Sequence, residues 1–174
     1  MKAVNDKYEP EICPCCKQSM TYLIPVDRGT VDIVKAISVA IGIKRQNVIH
    51  PRKEMEVDHK SFDYRFMVTQ GKLTSNQVGN LSRARFHGLI AKIRGESGNY
   101  CLTKKGAEFL RGVEIPRYAI ISKAEGHQIG YWKPETYTVT VKEFRPDEEY
   151  WEGIGYDIVD GRVVDLDRVQ GALL

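Results

Sequence analysis

The chain has 174 residues, of which 42% are hydrophobic and 28% are charged, and its formal net charge is +3. These proportions are ordinary for a soluble globular protein. No apolar run approaches the roughly 20 residues that span a bilayer, and the opening stretch MKAVNDKYEPEI has no apolar region of a secretory signal. We therefore expect a cytoplasmic protein without a membrane partner.

Charge is distributed unevenly and suggests three segments, at residues 1–20, 21–115 and 116–174. Residues 1–20 have no net charge. Residues 21–115 carry 16 basic and 9 acidic side chains, whereas residues 116–174 carry 7 basic and 11 acidic side chains. The middle segment is therefore a candidate for binding a polyanion, whereas the acidic C-terminal segment is not.

The N-terminal segment contains a cysteine-rich stretch, CPCC, in which Cys13 and Cys16 have half of the spacing used by structural zinc sites. Two histidines, His50 and His59, lie in a long polar connection and are the preferred remaining ligands. We expect a zinc-binding knuckle with a structural role. Other candidate ligands are Cys15, His87, Cys101 and His127. An alternative is that Cys15 and Cys16 are simply exposed thiols.

Two helices are predicted at the start of the middle segment. In the first helix, four apolar residues recur at helical spacing: Val31, Val34, Ile37 and Ile41. Thr30 is the expected N-cap, and Gly42 lies near the expected end. The second lies in SFDYRFMVTQG, where Ser61 could be the N-cap and Gly71 the end.

A third helix is predicted from Ser75 to His87, capped by Thr74 or Ser75 and ended by Gly88. One face would be apolar. At 100° per residue, the opposite face carries a polar stripe of Asn76, Asn80, Arg83 and His87. Asparagine pairs with adenine and arginine with guanine in the major groove, and the amide groups of residues 75–77 could hold a phosphate.

A β-hairpin follows this helix, in the stretch LIAKIRGESGNYCLT, with its turn at GESG. Lys92 and Arg94 would point from it toward phosphates or a minor groove. Thr103 is expected to cap one more short helix, which Gly112 ends.

The stretch from the third helix to Leu110 resembles a winged helix-turn-helix domain. The resemblance is to a recognition helix followed by GLI, a wing, Y-x-L-T and K-G-x-x-F-L, and it covers about residues 21–115. The matching residues are Leu81, Arg83, Gly88, Leu89, Ile90, Tyr100, Leu102, Thr103, Gly106, Phe109 and Leu110. It implies double-stranded DNA as partner, and the residues expected to contact DNA are Ser75, Asn76, Gln77, Asn80, Arg83, His87, Lys92 and Arg94.

The acidic C-terminal segment is predicted to form a small antiparallel β module, with strands in YAIIS, IGYW and TYTVTVKEF and a hairpin in YDIVDGRVVDL. Its five aromatic residues could form a protein-contact or self-association surface; they are Tyr131, Trp132, Tyr137, Tyr150 and Trp151. No phosphate-binding glycine motif occurs, and we do not expect an enzyme.

The sequence thus predicts an α+β protein with a Cys-rich knuckle at 1–20, a winged-helix domain at 21–115 and a β-rich acidic module at 116–174. Its expected function is sequence-specific binding of double-stranded DNA, as in a transcription regulator. The alternative is a winged-helix protein-interaction module that acts as a component of a larger complex, because one fold serves many functions.

Overall fold

The structure is a computed structural model. It describes residues 7–58, 67–68, 70–93 and 95–144, together with the backbone of two strands at 156–159 and 162–165. Helices and mainly antiparallel strands both occur, so the expected α+β class is confirmed at that level. The helices are α1 Arg28–Lys44, α2 Pro51–Glu54, α3 Ser75–Gly79, α4 Leu81–Phe86, α5 Lys104–Leu110 and α6 Val141–Phe144.

The strands are short, and most pair with a strand close to them in sequence. Their bounds are β1 Thr21–Pro25, β2 Val57–Asp58, β3 Leu73–Thr74, β4 Ile90–Lys92, β5 Tyr100–Leu102, β6 Ile115–Pro116, β7 Tyr118–Ser122, β8 Gln128–Tyr131, β9 Thr138–Val139, β10 Tyr156–Val159 and β11 Arg162–Asp165. Only β2 and β3 pair in parallel; the other described pairs are antiparallel.

Helix α1 is the central element of the core. Its predicted apolar face is confirmed, because the four residues that define it are fully buried: Val31, Val34, Ile37 and Ile41. The predicted N-cap was wrong, whereas Gly42 does lie near the C-terminal end. Asp27 is the N-cap, and its carboxylate accepts the Thr30 amide at 2.7 Å, whereas Thr30 itself is buried inside the helix. The helix also runs past Gly42 to Lys44, where Arg45 adopts a left-handed conformation with φ of 50°.

The next helical segment includes Met67 and Val68, both buried, and it ends at Gly71 as the sequence predicted. Gly71 has φ of 65°, and a Cβ placed there would lie 2.9 Å from the backbone of Ala40 in α1. Only glycine therefore allows the chain to turn this close to α1.

The predicted hairpin is confirmed, because β4 and β5 pair with Ile90 opposite Leu102 and Lys92 opposite Tyr100. Ile49 extends this hairpin on its other side: its amide donates to the Tyr100 carbonyl at 2.9 Å, and the Tyr100 amide donates back at 2.8 Å. The predicted Thr103 cap of α5 is also confirmed, since its hydroxyl accepts the Gly106 amide at 3.0 Å.

The C-terminal part is built on a three-stranded sheet in the order β1, β7, β8. The predicted strands in YAIIS and IGYW correspond to β7 and β8, and the hairpin of β10 and β11 is present. The single strand predicted over TYTVTVKEF was wrong, because β9 covers only Thr138–Val139 and α6 begins at Val141. Because β1 comes from residues 21–25, the middle and C-terminal segments share this sheet.

Candidate nucleic-acid interface

The predicted third helix is present but divided. Thr74 caps α3 in a capping box: its hydroxyl accepts the Gln77 amide at 3.3 Å, and the Gln77 side-chain oxygen accepts the Thr74 amide at 2.8 Å. The side-chain oxygen of Gln77 is thus occupied within the protein. The chain leaves helical geometry at Asn80, with φ of −100° and ψ of 9°, and α4 starts at the next residue. The prediction of one continuous helix from 75 to 87 was therefore wrong.

This break changes which residues face outward. Ser75, Asn76, Gly79 and Ser82 are exposed, whereas Asn80 is half-buried and donates its side-chain amide to the Asn76 carbonyl at 3.1 Å. The exposed face of α3 and α4 is thus built from small, uncharged polar residues. It replaces the predicted stripe of Asn76, Asn80, Arg83 and His87, of which only Asn76 is exposed.

Arg83 forms an ion pair with Asp27, the N-cap of α1. Both side chains are partly exposed, at 43% for Arg83 and 37% for Asp27. Burial disfavours the ionised form of Asp27, but hydrogen bonds from Thr30 and the charge of Arg83 outweigh it and hold the pKa of that carboxyl below its ordinary value. Arg83 therefore joins α4 to α1.

His87 is fully buried, so its prediction as a DNA contact was wrong. Because the helix is interrupted at Asn80, the last turn of α4 presents this position to the protein interior. Burial, together with the nearby charge of Lys105, lowers the pKa of His87 to about 4. Among the described residues, neither ring nitrogen has a hydrogen-bond partner.

Two residues of the exposed face of α3 and α4, Gly79 and Ser82, line a groove with a volume of about 170 Å³ together with the buried Val78 and Leu81. The hairpin contributes Gly98 of its turn and Tyr100 of β5 to the lining, and α2 contributes an exposed arginine. The lining residues are Arg52, Val78, Gly79, Leu81, Ser82, Gly98 and Tyr100.

Lys92 of the hairpin is a second exposed cation in addition to Arg52. It is exposed and lies directly opposite Tyr100 in the register of β4 and β5. Directly opposed residues in an antiparallel pair project from the same face, so Lys92 lies on the face that carries the groove-lining Tyr100. Arg94, the other predicted hairpin contact, lies outside the described residues.

The hairpin turn packs closely against the chain that precedes α2. A Cβ at Gly98, which has φ of 84°, would overlap the imidazole of His50. The His50 amide in turn donates to the Glu54 carboxylate at 2.6 Å. His50 therefore contributes to the position of the hairpin turn.

The predicted knuckle is a tight antiparallel turn, in which Ile12 bridges Ser19 and the Cys13 amide donates to the Gln18 carbonyl at 2.9 Å. The amide groups of Cys16 and Cys15 donate to the Cys13 sulfur, which holds the pKa of that thiol below its ordinary value. Across the described part of the chain, no three His, Cys, Asp or Glu side chains are grouped to hold a metal ion. Cys13, Cys16 and His50 are thus not brought together, and His59 lies outside the described residues.

The aromatic residues of the C-terminal part pack mostly on one another. Trp132 stacks on Tyr137 with ring centres 5.1 Å apart, and Tyr118 and Tyr8 meet Trp132 edge to face at 5.5 and 6.0 Å. Tyr131 instead lies under Lys105 of α5, with the ammonium 4.4 Å from the ring centre. All five are half-buried. Tyr150 and Trp151 lie outside the described residues.

Three residues were missed by the sequence reasoning: Asp27, Arg52 and Ser82. Asp27 precedes Arg28 and Gly29 at the helix start, where an aspartate is a strong N-cap signal, so it could have been found. Arg52 and Ser82 carry no local signal, because they meet only through the packing of α2 beside the helix break.

Comparison with protein-family models, curated proteins and solved structures finds no match for this chain. In the described residues, no helix combines the length and the apolar character needed to cross a membrane.

Proposed function

We propose that residues 21–115 form a winged helix-turn-helix domain that binds double-stranded DNA. The order of elements supports this proposal: α1, the strand position at Ile49, the helical segment at Met67 and Val68, the pair α3 and α4, and the hairpin of β4 and β5. In this assignment α3 and α4 together take the recognition position, and the hairpin is the wing.

The observation that carries the proposal is the groove between α3–α4 and the hairpin, which is lined by Gly79 and Ser82 and by the exposed Arg52. Ser75, Asn76 and Ser82 are short hydrogen-bonding side chains that allow close approach to base edges or phosphates. Arg52 and Lys92 are exposed and supply positive charge beside that face. Arg83 has a positioning role in this proposal, because it is paired with Asp27.

Charge distribution agrees with a polyanionic partner. The net charge of +7 falls on residues 21–115, while the C-terminal segment is acidic. Phosphate neutralisation by lysine and arginine supplies most non-specific affinity for DNA and makes binding fall steeply with salt.

The test is the binding of a labelled duplex of random sequence, followed by fluorescence anisotropy across a salt series. We expect the logarithm of the affinity to fall with the logarithm of salt by about 0.9 per neutralised phosphate. Arg52→Ala and Lys92→Ala should each reduce that slope by about one phosphate.

The matched control is Lys133→Ala, which removes an exposed lysine from the acidic C-terminal part. It should leave both affinity and slope unchanged. Absence of salt-dependent binding, or an equal loss in all three variants, would contradict DNA binding through the groove and favour the protein-interaction alternative.

A further inference from the structure

Three of the four cysteines lie in one short turn, and the proposed DNA-binding function does not use them. Cys15 and Cys16 are exposed, Cys13 is half-buried, and each of the three carries a free thiol. The fourth, Cys101, is half-buried in β5, opposite Ala91 in the register of the hairpin. The turn is therefore a place where several thiols of the chain lie at close spacing and are open to solvent.

The backbone of this turn is wound like a single turn of helix. The Lys17 amide donates to the Cys13 carbonyl at 3.0 Å, which is the bond from residue i+4 to residue i that defines an α-turn. Lys17 then leaves this geometry with φ of 61°, whereas residues 14–16 have negative φ. Cα atoms three residues apart in a tight turn lie within about 7 Å, and the Cα atoms of a disulfide are usually about 4.4–6.8 Å apart. The spacing of Cys13 and Cys16 therefore fits a disulfide.

The helical winding also distinguishes this pair from the other two pairs in the turn. At about 100° per residue, side chains three residues apart point to nearly the same side, whereas side chains two residues apart point to nearly opposite sides. Cys13 and Cys15 therefore diverge. Cys15 and Cys16 are consecutive, with Cα atoms about 3.8 Å apart, which is closer than an ordinary disulfide allows. Of the three pairs, the turn thus favours Cys13 with Cys16.

The turn is held in place by hydrogen bonds at its base. The Cys13 amide donates to the Gln18 carbonyl at 2.9 Å. Lys123, which directly follows β7 of the three-stranded sheet, donates its ammonium to the Ser19 hydroxyl at 2.7 Å and its amide to the Met20 carbonyl at 2.9 Å. Because the backbone is already ordered, joining the two sulfurs costs less conformational entropy in the folded protein than in the unfolded chain.

We propose that Cys13 and Cys16 form a reversible disulfide by exchange with a small-molecule disulfide of the oxidised-glutathione type. The exposed Cys16 sulfur attacks one sulfur of the oxidant, whose S–S bond breaks, and the first glutathione leaves as a thiol with the proton that Cys16 gives up. The half-buried Cys13 sulfur then attacks the Cys16 sulfur, and the second glutathione leaves as a thiol with the proton of Cys13. The two cysteines are oxidised, and the oxidant is reduced to two thiols.

This proposal is independent of DNA binding, because neither cysteine lines the groove. Its test equilibrates full-length protein, in buffer with a chelator, against a series of ratios of oxidised to reduced glutathione. Free thiols are then alkylated, and intact mass counts them. We expect four alkylated cysteines in the reduced protein and two in the oxidised monomer, with excess reduced glutathione reversing the change. Fragmentation of the tryptic peptide that contains all three turn cysteines should show only Cys15 alkylated.

The same titration in concentrated urea tests the role of the folded turn. We expect the disulfide to form at a lower ratio of oxidised to reduced glutathione in the folded protein than in the unfolded chain. Equal midpoints would mean that the turn does not bring the two thiols together.

Variants assign the two cysteines and their order. Cys16→Ser should abolish the intramolecular disulfide, whereas Cys13→Ser should stop at a mixed disulfide with one glutathione on Cys16. The matched controls Cys15→Ser and Cys101→Ser should each form the disulfide as the wild type does, and circular dichroism of every reduced variant reports whether it is folded. The proposal is overturned by four free thiols at every ratio, by a disulfide that includes Cys15 or Cys101, or by a disulfide-linked dimer.

Discussion

The guanidinium of Arg83 in α4 pairs with the carboxylate of Asp27, which also caps α1 by accepting the Thr30 amide and hydroxyl. One carboxylate therefore caps the N-terminus of a core helix and links that helix to α4. Arg83, which the sequence suggested for contacting bases, is thus a structural link between the two helices.

This link predicts a specific pattern of stability in a double-mutant cycle. Asp27→Ala removes both the cap and the ion pair and should cost about 1–2 kcal/mol, whereas Asp27→Asn keeps a cap acceptor and should cost less. Asp27→Asn and Arg83→Ala, combined, should show a coupling free energy of about 0.5 kcal/mol, the range for a partly exposed pair. Chemical denaturation measures each variant, and strictly additive effects would mean that the pair makes no net contribution.

The sequence predicted those features that local chemistry determines. Capping rules pointed to Thr74 or Ser75, to Thr103 and to Gly88. The structure has Thr74 and Thr103 as N-caps and gives Gly88 a φ of 70° at the end of α4. The apolar face of α1 followed from spacing alone. Each of these depends on residues within one or two helical turns.

The outward face of the third helix could not be predicted, because a helical wheel assumes an unbroken helix. The break at Asn80 shifts the angular position of every later residue, so His87 moves inward and Ser82 is exposed. Gly79, a poor helix former, stands directly before the break. The groove needs in addition the approach of Arg52 and Gly98 from distant parts of the chain, which no local pattern encodes.

Two glycines provide a matched test of packing. A Cβ at Gly106 in α5 would overlap the carbonyl oxygen of Leu89, whereas a Cβ at Gly79 in α3 has nothing within 4 Å. Gly106→Ala should therefore destabilise the protein by about 1–3 kcal/mol through overpacking. Gly79→Ala should stabilise it by up to about 1 kcal/mol, because alanine favours the helix.

Thermal denaturation of the two glycine variants beside the wild type distinguishes these effects, since both introduce the same methyl group into a short helix. A Gly106→Ala protein as stable as the wild type would show that α5 is free to move away from Leu89.

The contact of Lys105 with Tyr131 joins α5 to the three-stranded sheet, and the hydroxyl of Tyr131 accepts a hydrogen bond from the ammonium. Tyr131→Phe keeps the ring under the charge and should cost about 1 kcal/mol for the lost hydrogen bond. Tyr131→Leu also removes the cation–π contact and should cost about 0.5–1 kcal/mol more. Urea denaturation compares the two, and equal losses would show that the ring face contributes nothing.

Burial of His87 predicts an acid-sensitive contribution to stability. Its pKa is about 4 in the folded protein, against about 6.5 for an unperturbed histidine. Above pH 6.5 both states are neutral and the effect is absent. Between pH 6.5 and 4 the imidazole is protonated in the unfolded chain but stays neutral in the folded protein. The free energy of unfolding therefore falls as the pH falls. Below pH 4 the full cost, about 2–4 kcal/mol, is in place.

The measurement is the free energy of unfolding from pH 7 to pH 4 in the wild type, His87→Leu and His127→Leu. His87→Leu should lose less stability over this range than the wild type by about 2–4 kcal/mol, whatever its stability at pH 7. His127 is more than half exposed, so His127→Leu serves as the control for removing an imidazole from the surface. Parallel curves for His87→Leu and the wild type would mean that the imidazole gains a proton in the folded state as readily as in the unfolded chain.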